Sequence, residues 1–293
     1  MPSNTIKKIL ARREAALVIL LVVLLIPITI RSPQFISARN ISTILNDMAI
    51  LAIVAIGEFF VILSNGIDLS VGSVVAFTGM ACGLINEANQ AFGAVPLLFV
   101  GMGIGLVMGL FNGVLVAYGK IPPIITTLGT VSIYRGLTFL LSGNQWVTAH
   151  ELAPSYIAFP RVTFLGISLL LWIAFIVIAI FYYFSRFTRT GREIYAIGGN
   201  PTAAKFVGVN ESRIRVVVFA ISGTLSGLAG ALWTARYASA GNEMATGFEM
   251  QAGAACGLGG GNFAGGGGGG PRTRPRGVPA RGRGHPQRGR RGR

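Results

Sequence analysis

Charge is what this chain has least of. Only 12% of its 293 residues are charged while 52% are hydrophobic, and its mean hydropathy is +0.63. Soluble domains carry about 25% charged residues, so this composition excludes an ordinary soluble fold. The repeated apolar runs exclude a single packed core and point to several membrane spans. Cysteine and histidine are equally sparse. Cys82 and Cys256 lie in apolar or small-residue surroundings with no pair spacing for a metal or a redox couple, and read as packing residues. His150 and His285 are the only histidines, and no catalytic constellation surrounds either. A phosphate-cradling loop of the Walker type is also missing, since the glycine-rich stretch GMGIGLVMG is followed by no Lys-Ser or Lys-Thr. Any energy source for work is therefore an ion gradient or a separate subunit. No cleavable signal peptide is evident after the first apolar run, which reads as a retained anchor.

Acids are few, and they are unevenly placed. The formal net charge is +15, but nine of the 25 Lys and Arg lie between Arg272 and Arg293, where there is no acid. Without them the chain has 16 basic and 10 acidic residues, an unremarkable balance. From Gly253 the composition turns to Gly, Arg and Pro, which cannot bury a core and predicts disorder. One reading of this tail is RNA or acidic-lipid binding through phosphate neutralisation, although it lacks aromatic residues for base stacking. The favoured reading is loss of the coding frame near Gly266, because GC-rich codons for membrane helices give Gly-Pro-Arg runs when shifted by one base. Residues 1–266 are accordingly expected to form the membrane domain and 267–293 a low-complexity extension.

What is present is an all-α, polytopic bundle with seven legible spans: Ala15–Ile30, Ile41–Leu63, Ser70–Ile85, Ala94–Tyr118, Ile124–Leu141, Val162–Phe184 and Ile214–Trp233. Lys7, Lys8, Arg12 and Arg13 precede the first and place the N-terminus in the cytoplasm. Assigned on that basis, eleven Lys and Arg fall inside and four, Arg31, Arg39, Arg161 and Arg236, outside. Gly101, Gly105, Gly109 and Gly113 form one side-chain-free face on the fourth span, and Ser222, Gly223, Ser226, Gly227 and Gly230 repeat the pattern on the last. Both stripes predict close helix packing.

Polar residues within this apolar chain are candidates for function. SNGIDLSVGS, Ser64 to Ser73, interrupts what would be one apolar tract, and reads as a tight cytoplasmic turn or as the break of a discontinuous helix. Glu58 and Arg135 lie at membrane depth, where a lone charge costs about 2.5–3.5 kcal/mol, so each should face the bundle interior. A mutual ion pair is one solution. Asn65, Asp68, Ser70, Glu58, Thr127 and Arg135 are the candidates for a translocation path. Between Ser185 and Arg215 runs the one long polar loop with helical signals of its own. There Asn200 suits an N-cap, Pro201 a first helical position and Gly208 a left-handed stop, which predicts a helix over Pro201 to Val207.

SNGIDLSVGS, KIPPIITTLGTVSIYRGLTFLLSG (Lys120 to Gly143) and GREIYAIGGNPTAAKFVGV (Gly191 to Val209) together resemble the permease subunit of bacterial ABC sugar importers, in the ribose, xylose, rhamnose and autoinducer-2 class. The likeness runs from about Arg12 to Gly266. It implies a non-enzymatic, multi-pass subunit of the cytoplasmic membrane. It further implies a second permease copy or paralogue, a cytoplasmic ATPase that uses the ATP, a periplasmic or lipid-anchored sugar-binding protein, surrounding lipid, and neither a cofactor of its own nor nucleic acid. The resemblance makes the Ser185–Arg215 loop the coupling segment, with Arg192, Gly198, Gly199, Asn200, Pro201, Thr202, Ala203, Ala204 and Gly208 facing the ATPase. Contact is expected to rest on Ala203, Ala204 and Gly208, and Thr202 departs from the acidic residue usual at its place. The family would also continue with further spans after Gln251. The competing reading is an ion-coupled secondary transporter that uses Glu58, Asp68 and Arg135 as a relay.

Overall fold

The computed structural model describes residues 13–258. In chain order its helices are α1 (Arg13–Arg31), α2 (Ala38–Leu63), α3 (Val71–Ala88), α4 (Ala94–Ala117), α5 (Pro123–Ser142), the short α6 (Pro154–Ala158), α7 (Leu169–Phe187), α8 (Arg189–Gly199), α9 (Pro201–Phe206), α10 (Glu211–Tyr237) and α11 (Phe248–Leu258). Among the described residues, α2, α3, α4, α5, α7 and α10 are long and apolar enough to cross a membrane, and α1 adds the shorter apolar stretch Ile19–Arg31. The chain is an all-α polytopic membrane protein, as its composition predicts.

α10 is the axis of the bundle, and its small residues decide which helix meets which of its faces. Gly223 and Gly227 meet the glycine face of α4 in antiparallel register. A Cβ on Gly101 would stand 2.6 Å from the Gly227 carbonyl oxygen, one on Gly105 2.8 Å from Gly227 Cα, and one on Gly109 3.0 Å from Gly223 Cα. The two stripes therefore pack against each other, backbone to backbone, a contact that only missing side chains permit. A second face carries Ser222, where a Cβ on Gly57 of α2 would stand 2.9 Å from Ser222 Cα. Gly230 and Thr234 meet α3, with Thr234 Oγ1 donating to the Gly79 carbonyl at 3.0 Å.

Two expectations about the elements need correction. The run from Val162 is not helical at its start. Thr163–Phe164 and Ile167–Ser168 form a small antiparallel hairpin, turned at Leu165 and Gly166 with positive φ, and α7 begins at Leu169 behind the N-cap Ser168. The chain after Trp233 is also more ordered than its composition suggests. α10 continues to Tyr237 and ends in a left-handed Ala238; Ala240 then pairs with Val147, and the chain turns into α11. α11 runs alongside α2, where Cys256 Sγ donates to the Ala55 carbonyl at 3.1 Å. Helix thus persists through Gly253 to Leu258. The readings for the segment beyond, including frame loss near Gly266, lie outside the described residues.

Candidate functional site

α2 ends at Leu63 in a Schellman motif: Gly66 N–H donates to Val61 O at 3.0 Å and Asn65 N–H to Ile62 O at 3.0 Å, with Asn65 in the left-handed region at φ 62°. The chain therefore makes a turn here, and it turns inside the bundle. Ser64, Asp68 and Ser70 are all buried.

Asp68 is the hub of this turn. Its Oδ1 accepts from Ser70 N–H at 3.0 Å and Ser70 Oγ–H at 2.6 Å, and its Oδ2 accepts from Ser222 Oγ–H of α10 at 2.8 Å. Asn112 of α4 donates through Nδ2 to Ser70 Oγ at 2.8 Å. Tyr134 of α5 donates to the Met108 carbonyl at 2.8 Å, with its hydroxyl 3.3 Å from Asn112 Oδ1. Thr127 Oγ1 lies 3.4 Å from the Ile67 carbonyl but makes its shorter bond, 3.0 Å, to Pro123 O within its own helix. Side chains from the turn and from α4, α5 and α10 thus converge on one buried polar knot. Ser222 stands about 16 Å along α10 from Glu211, at 1.5 Å per residue, which is well inside an apolar slab about 30 Å thick.

Glu58 joins this knot and does not meet Arg135. Its Oε1 accepts from Asp68 N–H at 3.1 Å, its side chain is 2% exposed, and its Oε2 has no partner among the described residues. Arg135 instead donates through one guanidinium nitrogen to the carbonyls of Met244 at 2.8 Å and Asn242 at 3.2 Å. The expected ion pair is absent for a simple reason. The turn's own N–H occupies Glu58, and the run of turns before α11 occupies Arg135. Asn242 is tied down further, its Oδ1 accepting from Ser142 Oγ–H at 2.7 Å.

Against one end of the knot lies the polar loop. α8, which carries Ile194 and Ile197 inward, goes beyond the sequence expectation, whereas α9 matches it. Asn200 Oδ1 accepts from Ala203 N–H at 2.9 Å, Pro201 opens the helix, and Gly208 follows at φ 82°. The faces differ from expectation, however. Ala204, 3% exposed, is turned into the cluster with Ile194, Ile197, Ile214 and Val218, and Gly198 is buried, so neither lies on the exposed surface of the loop. Arg192, Gly199, Asn200, Pro201, Thr202, Ala203 and Gly208 remain exposed. The surface is dominated by two residues that sequence reading passed over, Phe206 at 88% and Val207 at 79% exposed. Bulky apolar side chains in an otherwise polar loop were the available signal. Beside them opens a cavity of about 670 Å³ lined by Lys120, Pro122, Lys205, Gly208, Asn210 and Arg215 among others.

The knot and the loop touch. Asn65 donates through Nδ2 to the carbonyls of Ile197 and Gly198, at 3.3 Å each. The buried turn and the α8–α9 corner, which the sequence keeps separate, are thus joined directly.

Known proteins resemble the chain along most of its length. Residues 40–271 match a family model described as branched-chain amino acid transport system / permease component. The chain is 38% identical over 250 residues to the ribose import permease protein of Haemophilus influenzae, covering 84% of this chain and 76% of that one. It is 34% identical over 256 residues to the autoinducer 2 import system permease protein of Escherichia coli, covering 87% and 73%. No solved structure matches.

Proposed function

The chain belongs to the family of permease components of membrane transport systems, and from that premise we propose that it is the transmembrane subunit of an ATP-binding-cassette importer for a monosaccharide or related small polyol-like solute. The observation that carries this is the likeness to permeases for ribose and autoinducer 2 along more than four-fifths of the chain. The family description speaks of branched-chain amino acids, but the relatives named for their solutes favour a hydroxylated one. An ion relay through Glu58, Asp68 and Arg135 is disfavoured because Arg135 is held by carbonyls away from the two acids.

The permease sits in the cytoplasmic membrane with its N-terminus and the α8–α9 loop inside. It holds no cofactor and catalyses no reaction; a partner ATPase uses ATP and grips α9 through Phe206 and Val207, and a binding protein delivers solute from outside. A second permease subunit completes the passage. On the outer face of α5, Gly129, Ser132, Gly136 and the half-exposed Arg135 break up the apolar surface of Leu128, Ile133, Leu137 and Leu140, whereas α7 presents Phe175, Ile176, Ile180 and Tyr183. Lipid suits the face of α7, while small and polar residues suit another protein. Residues 1–266 form the membrane domain of this reading, with the 267–293 extension outside it.

The test is reconstitution of the full chain in liposomes with the ATPase and binding protein encoded beside it. ATP-dependent uptake of labelled ribose or another monosaccharide that persists with an ionophore supports the reading. Uptake driven by an ion gradient without ATP would replace it with the secondary-transporter reading.

A further inference from the structure

The hydrogen bond from Asn65 begins with a covalent fact about the loop. In a continuing helix the Ile197 carbonyl would accept from the N–H four residues on, but that residue is Pro201, which has none. The end of α8 therefore carries an acceptor that the chain cannot satisfy locally. Asn65 supplies the donor from 132 residues away, and takes the Gly198 carbonyl with the same amide group.

The backbone position gives no reason for that choice. Asn65 is the left-handed residue that closes α2, a place where glycine is the usual occupant and relieves strain. An asparagine there retains the cap and adds a side chain, and that side chain reaches only the carbonyls where α8 hands over to α9. Three residues further on, Asp68 clasps α10 through Ser222, and Ser70 takes the amide of Asn112 in α4. A displacement of the α8–α9 corner thus has a short polar route to the helices of the bundle.

We infer that Asn65 is a positioning residue for transport, a hook that ties the cytoplasmic docking helices to the buried Asp68 turn so that movement at α9 is passed to α10 and α4. The inference rests on the importer reading, and one of its two measurements does not.

Asn65→Gly keeps the left-handed cap and deletes the hook; Asn65→Asp keeps the shape and replaces the donor with an acceptor facing two carbonyls. In the full chain without partners, hydrogen exchange of the amides from Ile197 to Val207 is expected to quicken about fivefold to tenfold in Asn65→Gly, with the amides of Asn65 and Gly66 unchanged. In the complex with its ATPase and binding protein, both variants are expected to hydrolyse several times more ATP per ribose moved, at unchanged membrane abundance. A residue that merely caps α2 predicts that glycine is neutral in both measurements. Unchanged exchange at the α8–α9 corner, or an unchanged ratio of ATP to solute, overturns the inference. If wild type moves no ribose, the solute reading fails while the exchange result still decides the hook.

Discussion

Ser222 of α10 donates its hydroxyl to Asp68 across 2.8 Å, joining two residues 154 positions apart at a depth where neither can reach water. The bond fixes where the buried turn sits against the bundle axis. Removing Ser222 alone leaves Asp68 two donors from Ser70, whereas removing Asp68 strands Ser70 N–H and both hydroxyls.

Asp68→Ala is therefore expected to destabilise more than Ser222→Ala. The Asp68→Ala, Ser222→Ala cycle should show a coupling of about 1–2 kcal/mol. Thermal unfolding of the four proteins in detergent measures it. Additive effects would mean that the two residues do not share a bond.

Glycine at α4 and α10 is a steric requirement. A Cβ on Gly105 would stand 2.8 Å from Gly227 Cα, while one on Gly103, on the outer face of the same helix, meets nothing within 4 Å. Gly105→Val is expected to cost about 3 kcal/mol or more, because the obstacle is backbone. Gly103→Val should stay within about 0.5 kcal/mol of wild type. Similar effects of the two changes, read as folded yield and melting temperature, would contradict this packing.

Glu58 and Arg135 serve different partners, which also yields a prediction. Glu58→Gln and Arg135→Gln should combine additively, within about 0.5 kcal/mol. Rescue of one change by the other, in stability or uptake, would restore the ion pair that the geometry denies.

The sequence made α9 legible nearly to the residue, because Asn200, Pro201 and Gly208 are local signals that do not depend on what packs nearby. It also made the glycine faces of α4 and α10 legible, though not their pairing with each other, since periodicity marks a face without naming its neighbour. Ala204 was misassigned for the same reason: a small residue in a docking loop suits an exposed groove and a tight interior equally, and here Ile194 and Val218 decide the matter. α11 was hidden by glycine-rich composition, which describes chain entropy and says nothing of the surface that α2 offers. The partners of Glu58 and Arg135 were invisible because both are backbone groups, and backbone carries no sequence signature.

The central claim is that the exposed apolar tip of α9 is where an ATPase drives this permease. Phe206 is 88% exposed, so Phe206→Glu removes no internal contact of weight and should leave the protein in the membrane at wild-type abundance. The decisive measurement is ATP-dependent solute uptake by the reconstituted complex carrying this change. The account predicts at least about a tenfold loss, equivalent to about 1.4 kcal/mol of coupling, with ATPase binding weakened in parallel. Uptake at the wild-type rate would contradict it.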